Sequence, residues 1–185
     1  MNPRAIRVFA LCIPVCVLAT GAFATQILYR SPRQLGTESA LVVRGTVSAT
    51  RSFWNDSHTK ILTEVVVRVD ETYKGAGGES VRLLQLGGTV DPVKMTVHGA
   101  LQWRQQEEVL LFLEPYSTGS YQVSGFSQGK FAIERDVASG KAYVRDATPS
   151  DSERIGAPAV QANGDDRVSL QQFVDQALGR TGGAR

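Results

Sequence analysis

Leu41-Val42-Val43-Arg44-Gly45-Thr46-Val47-Ser48 alternates with a period of two, the spacing that sends successive side chains to opposite faces of a strand. One face carries Leu41, Val43, Gly45 and Val47; the other carries Arg44, Thr46 and Ser48, with Val42 as the exception. A glycine inside a strand weakens pairing, so Gly45 marks a bulge or a close backbone approach. A polar turn follows from Asn55 to Lys60, and the pattern returns over Ile61 to Tyr73. There Ile61, Thr63, Val65, Val67 and Val69 lie opposite Glu64, Arg68 and Asp70. Gly75-Ala76-Gly77-Gly78 closes that strand and Val81 to Leu86 supplies a third. The first three strands thus form a meander.

Residues 87–106 break the rhythm with two glycine signals, a proline and little alternation. Glu107-Glu108 then leads into Val109-Leu110-Leu111-Phe112-Leu113, apolar on both faces and so a central strand buried on both sides. Shorter strands are expected around Tyr121-Gln122-Val123, from Lys130 to Arg135 and from Lys141 to Arg145. Residues 147–167 form a polar linker. A helix over 168–179 follows, with Ser169 as N-cap, Gln172 completing a capping box, and Val168 and Phe173 as a hydrophobic staple. Leu170, Phe173, Val174, Ala177 and Leu178 make one apolar stripe, and Gly179 is the stop. That stripe needs either the mouth of the chain's own barrel or a partner.

The fold expected over residues 38–146 is all-β: a small OB-like Greek-key barrel of five or more strands, with one C-terminal helix. Such a barrel has a wide connection between its third and fourth strands, where residues 87–106 fall. An immunoglobulin-like sandwich is the rival, but it needs about seven strands of more even length.

Residues 1–24 have the organisation of a secretory signal peptide. Arg4 and Arg7 give a positive start, Val8 to Thr20 an apolar stretch, and Ala22-Phe23-Ala24 a small-x-small cleavage site before Thr25. Cleavage would remove both cysteines, Cys12 and Cys16, and leave about 160 residues, one ordinary domain. Of 20 Lys+Arg and 18 Asp+Glu, 18 of each would remain. This charge balance argues against nucleic acid as a partner, since phosphate affinity needs clustered cations. The expected location is secreted or periplasmic, with no membrane span after cleavage; an uncleaved N-terminal anchor and lipid attachment at Cys16 are the alternatives. A cysteine-free exported domain is held together by packing alone.

The runs Leu41 to Val47, Val69-Asp70-Glu71-Thr72-Tyr73-Lys74-Gly75 and Glu107 to Leu113 resemble the OB-like modules of tissue inhibitors of metalloproteinases and netrins. They also resemble a group of secreted bacterial proteins built on that barrel. The resemblance covers roughly residues 38–145 and implies the fold. The inhibitors hold a protease zinc through an N-terminal cysteine, whereas this chain after cleavage would begin Thr25-Gln26-Ile27 without any cysteine. The inhibitory mechanism therefore has no residue here to rest on.

Catalytic chemistry finds little support. The two histidines, His58 and His98, are too few for a zinc site of three or four ligands, and no Gly-x-Ser-x-Gly elbow is present. Asp70-Glu71 and Glu107-Glu108 are adjacent strand residues pointing to opposite faces, so neither pair forms a facing acid and base. No metal or other cofactor is implied. The candidate binding residues are Phe53 and Trp54 at the tip of the first hairpin, and Asp91, Met95, His98 and Trp103 in the long connection. Long connections in compact domains are often functional; the competing reading has Trp54 and Trp103 plugging the barrel ends. The expected function is that of an exported non-enzymatic module binding another exported protein, with a protease-associated role within that reading. The alternatives are an envelope-assembly component docking through its C-terminal helix, and a hydrolase using His98 and Asp91.

Overall fold

A 14-residue strand, Leu41–Trp54, and a second of equal length, Ile61–Lys74, form the hairpin on which the remaining strands assemble. The computed structural model describes residues 25–148, 152–157 and 167–180. In chain order the elements are β1 (Thr25–Leu28), α1 (Pro32–Glu38), β2 (Leu41–Trp54), β3 (Ile61–Lys74), β4 (Ser80–Leu86), β5 (Gly88–Val90) and β6 (Val93–Met95). There follow β7 (Glu108–Ser117), β8 (Ser120–Val123), β9 (Lys130–Arg135), β10 (Ala142–Asp146), β11 (Ser152–Ile155) and α2 (Leu170–Leu178). Residues 1–24, with Ala22 and Ala24 of the expected cleavage site, lie outside the described residues; Thr25 begins β1.

One mixed sheet of seven strands runs in the order β10-β9-β7-β2-β3-β4-β8, and β8 also returns to β7. The strands β7, β2, β3, β4 and β8 therefore form a partly closed ring, the OB-like barrel expected from the alternation. Its neighbours are antiparallel except at the closure, where β4 and β8 run parallel and meet through the single pairing Leu83↔Tyr121. Gly45 is the bulge that lets β2 bend: the β2–β3 register shifts between Arg44 and Gly45. A β-carbon there would stand 2.2 Å from the Arg68 carbonyl oxygen.

The sheet separates two apolar cores. Inside the ring lie Leu41, Val43, Val47, Val65, Val67, Leu83, Val109, Leu111 and Leu113. Outside it, Val42, Leu110, Phe112 and Phe131 pack against Leu35 of α1 and Leu170, Phe173, Val174 and Ala177 of α2. The rings of Phe112, Phe131 and Phe173 meet edge-on or tilted, with centroids 4.6 to 6.3 Å apart. This second core explains both Val42 as the exception to the alternation and the two-sided apolar character of Val109 to Leu113.

It also gives the α2 stripe a different seat from the two expected. The stripe covers the outer face of the sheet at β2, β7 and β9, neither the barrel mouth nor a partner. The helix begins with one half of the expected capping box, Ser169 Oγ accepting from the Gln172 backbone N–H, and ends at Gly179 with φ +63°.

Three further differences concern segments without clear periodicity. α1 was not foreseen, although Ser31 caps it, Pro32 opens it and Gln34 completes a capping box. The segment expected as linker contains β11, which pairs in parallel with β1. Residues 87–106 are not structureless: β5 and β6 make a small hairpin with Gly88↔Met95, Thr89↔Lys94 and Val90↔Val93 in register. Among the described residues, no helix is long and apolar enough to cross a membrane.

Candidate binding cleft at the barrel seam and mouth

Period two puts Gln85 on the inner face of β4, in line with Leu83 and Val81. A polar side chain there needs partners, and the long connection supplies them. Gln85 Nε2 donates to the Leu101 carbonyl at 3.0 Å, while Gln85 Oε1 accepts from Trp103 Nε1 at 3.1 Å. Leu101 is buried with the inner core and Trp103 packs against it. Trp103 is thus held against the inner core, and its partly exposed ring also faces two clefts.

The connection is held from its other side by Lys130, which opens β9 and is 2% exposed. Its Nζ donates to the Gln102 carbonyl at 2.6 Å and to Glu107 Oε2 at 2.8 Å, and stands 4.5 Å from the Trp103 ring centroid. Burial lowers the Lys130 pKa from its ordinary value, against the opposing pull of Glu107. Glu108, on the opposite strand face, accepts from Arg44 and Arg135. These adjacent carboxylates are therefore engaged in three ion pairs, one through Glu107 and two through Glu108, a role beyond the ordinary charged strand end expected of them.

Two adjoining clefts result. The first, about 300 Å³, lies along the seam where β4 and β8 part beyond Leu83↔Tyr121. Leu84, Leu86, Tyr116, Val123 and Phe126 make it apolar. Leu86, Tyr116 and Phe126 are 40%, 50% and 49% exposed, a cluster of large apolar side chains left to solvent. The second, about 390 Å³, lies at the barrel mouth among Thr50, Thr63, Thr89, Lys94, Met95 and Thr96. Gln85, Leu86, Val97, Ala100 and Trp103 line both. Volumes near 300 Å³ sit at the lower end of the range for ligand pockets.

Of the residues singled out in the sequence, Met95 and Trp103 line this site. Asp91, at the turn between β5 and β6, and the exposed His98 belong to the same connection but line neither cleft. Phe53 and Trp54 do not line the clefts either. Phe53 nevertheless belongs to a cross-strand row, Phe53↔Leu62 and Leu62↔Leu86, that ends on the cleft rim. The Arg51 guanidinium lies 5.3 Å from the Phe53 ring centroid, and Trp54 stacks on His58 at 6.2 Å within the hairpin turn.

Gln85, Leu86, Tyr116, Phe126 and Lys130 escaped the sequence reading. A lysine opening an otherwise apolar strand, Lys130-Phe131-Ala132-Ile133, was the available signal for the last. Among the described residues, no group of three or more His, Cys, Asp or Glu is placed to hold a metal ion. Comparison with protein-family models and with curated proteins finds no match for the chain.

Proposed function

We propose that the protein is an exported, non-enzymatic binding module that takes a segment of a partner protein into the cleft at the barrel seam. The observation that carries this reading is the exposed apolar set Leu86, Tyr116 and Phe126 around a cleft at parted strands. Beyond Leu83↔Tyr121 the two strands no longer pair, so an extended segment entering there meets strand edges as well as apolar walls. The export component rests on the character of residues 1–24. The tissue-inhibitor likeness contributes a fold analogy and no mechanism.

The docking-helix alternative loses its surface, because the α2 stripe is buried within this chain. Selection from libraries of random peptides, displayed internally or with free C-termini, tests the proposal. Enrichment on the wild-type protein that disappears on Leu86→Asp and on Phe126→Asp supports it. No enrichment, or equal enrichment on variants shown by circular dichroism to be folded, rejects it.

A further inference from the structure

Among the described residues, three that are not glycine take a left-handed backbone: His58, Gln106 and Phe126, at φ +54°, +65° and +67°. His58 lies in the β2–β3 turn and Gln106 in the turn before β7, and neither lines a cleft. Phe126 is the bulkiest, so the conformation strains it, and its half-exposed ring lines the seam. Strain of this kind persists only where the surroundings over-determine it, and it gathers at binding sites.

The loop that imposes it runs from Ser124 to Gly129, between β8 and β9. Phe112 of β7 holds both ends: its carbonyl accepts from the Ser124 N–H, and its N–H donates to the Gly129 carbonyl, each at 2.8 Å. Gln128, 3% exposed, joins this loop to the end of β1. Its Nε2 donates to the Leu28 carbonyl at 2.8 Å and to the Gly125 carbonyl at 3.4 Å, and its Oε1 accepts from the Arg30 N–H at 2.9 Å. The chain after β1 also packs on the loop, since a β-carbon on Gly125 would stand 3.3 Å from Arg30 Cδ. β1 and β11 form a sheet separate from that of the barrel. One buried amide thus links the end of β1 to the residue just before Phe126.

Resting on the binding reading above, we propose that Gln128 is a positioning residue for the seam, and that β1, docked through it, holds Phe126 in the form that binds. With β1 in place, Gln128 satisfies Leu28, Arg30 and Gly125 together. Displacing β1 leaves the amide with its longest bond alone, to Gly125, and removes what keeps Gly125 and Phe126 from relaxing to ordinary backbone. The Phe126 ring then leaves the cleft wall. Such coupling is reciprocal, so a segment bound in the seam must in turn hold β1 in place.

Peptides selected on the wild-type protein, titrated by fluorescence anisotropy against Gln128→Ala and Tyr29→Pro, test this. The first removes the clamp. The second removes the Tyr29 N–H that donates to the Ile155 carbonyl at 2.9 Å, loosening β1 without altering a cleft residue. Each variant should bind about tenfold more weakly. Saturating peptide should slow hydrogen exchange at the Tyr29 and Arg30 amides of the wild type by about the same factor, and leave Tyr29 exchange unchanged in Gln128→Ala. A merely structural Gln128 would produce no such difference. Wild-type affinity in either folded variant, or β1 exchange indifferent to peptide, overturns the coupling and leaves the binding module standing. If Gln128→Ala does not fold, Tyr29→Pro and the wild-type exchange decide. Libraries that yield no peptide at all remove both proposals.

Discussion

Gly36→Ala puts two local effects in opposition and gives a sign that only the packing of α1 on α2 can explain. Within a helix, alanine is favoured over glycine by about 0.8–1 kcal/mol, so helix propensity alone makes this substitution stabilising. The geometry opposes it. A β-carbon at Gly36 would stand 2.0 Å from the Ala177 carbonyl oxygen and 2.6 Å from its carbonyl carbon. Ordinary contact begins near 3.4 Å, so the helices must part by about 1.4 Å along that line. Both obstructing atoms are backbone, and no rotamer change relieves them. Even a gap of about 1 Å forfeits up to about half of each van der Waals well in the contact, and overpacking costs about 1–3 kcal/mol, with a backbone clash toward the upper end. The expected net loss is about 1–2 kcal/mol. Urea unfolding followed by circular dichroism should show a lower midpoint, and hydrogen exchange should show α2 amides losing protection before those of β2 and β3. A variant as stable as the wild type, or more stable, would refute the close helix contact and the second core built on it.

Glu107→Ala should cost more than Lys130→Met in urea unfolding, about 3–5 kcal/mol, because it leaves an ammonium that is 2% exposed without its carboxylate. Part of that loss should be recovered as pH rises toward the ordinary lysine pKa: the buried Lys130 releases its proton earlier than the unfolded chain does, so the unfolded state holds more protons in that interval. Tyr73 behaves oppositely. Burial first, and then its hydrogen bond to Glu71, raise its pKa, so its contribution is complete below the unfolded phenol value of about 10 and is lost as pH rises above it. Tyr73→Phe should flatten the alkaline fall in stability measured by urea unfolding. Removing residues 167–185 should expose Val42, Leu110, Phe112 and Phe131, lower the unfolding midpoint and increase binding of an apolar fluorescent dye.

Period two revealed β2, β3 and β4 because one of their faces is buried and the other is largely solvated. The same rule made Val42 look exceptional, since a single sequence shows that a face is apolar without showing what covers it. Leu110 and Phe112 announced a covered outer face, and the α2 stripe announced a covering helix. Joining the two required the chain's path. α1 is seven residues long, too short for a periodic stripe, and only its caps were legible. β1 and β11 meet across more than a hundred residues, a parallel pairing that no local pattern encodes. At the site, Trp103 and Met95 were found because the long connection drew notice. Gln85 was hidden by its place in an ordinary strand, although an inward-facing amide is what anchors that connection to the barrel.

The distribution of cover over the sheet bears on where a partner can bind. On β2, β7 and β9 the outer face is occupied by α1 and α2, and its apolar residues are satisfied within the chain. On β3 and β4 the outer face is largely polar: Glu64 lies between Arg51 and Arg82, and Arg68 pairs with Asp70. Exposed ion pairs of this kind add little stability, but they keep the face solvated and discourage adventitious apolar contact. Apolar surface then remains where neither device operates, along Phe53, Leu62 and Leu86 and around the parted end of β4 and β8. The connection forming the rest of that site is fixed to both β4 and β9, through Gln85 and Lys130. A cleft whose walls are anchored to two separate strands loses less conformational freedom on binding than a loose loop would. That combination of solvent-facing apolar surface and anchored walls favours the seam over the hairpin tip, where Trp54 is already stacked on His58.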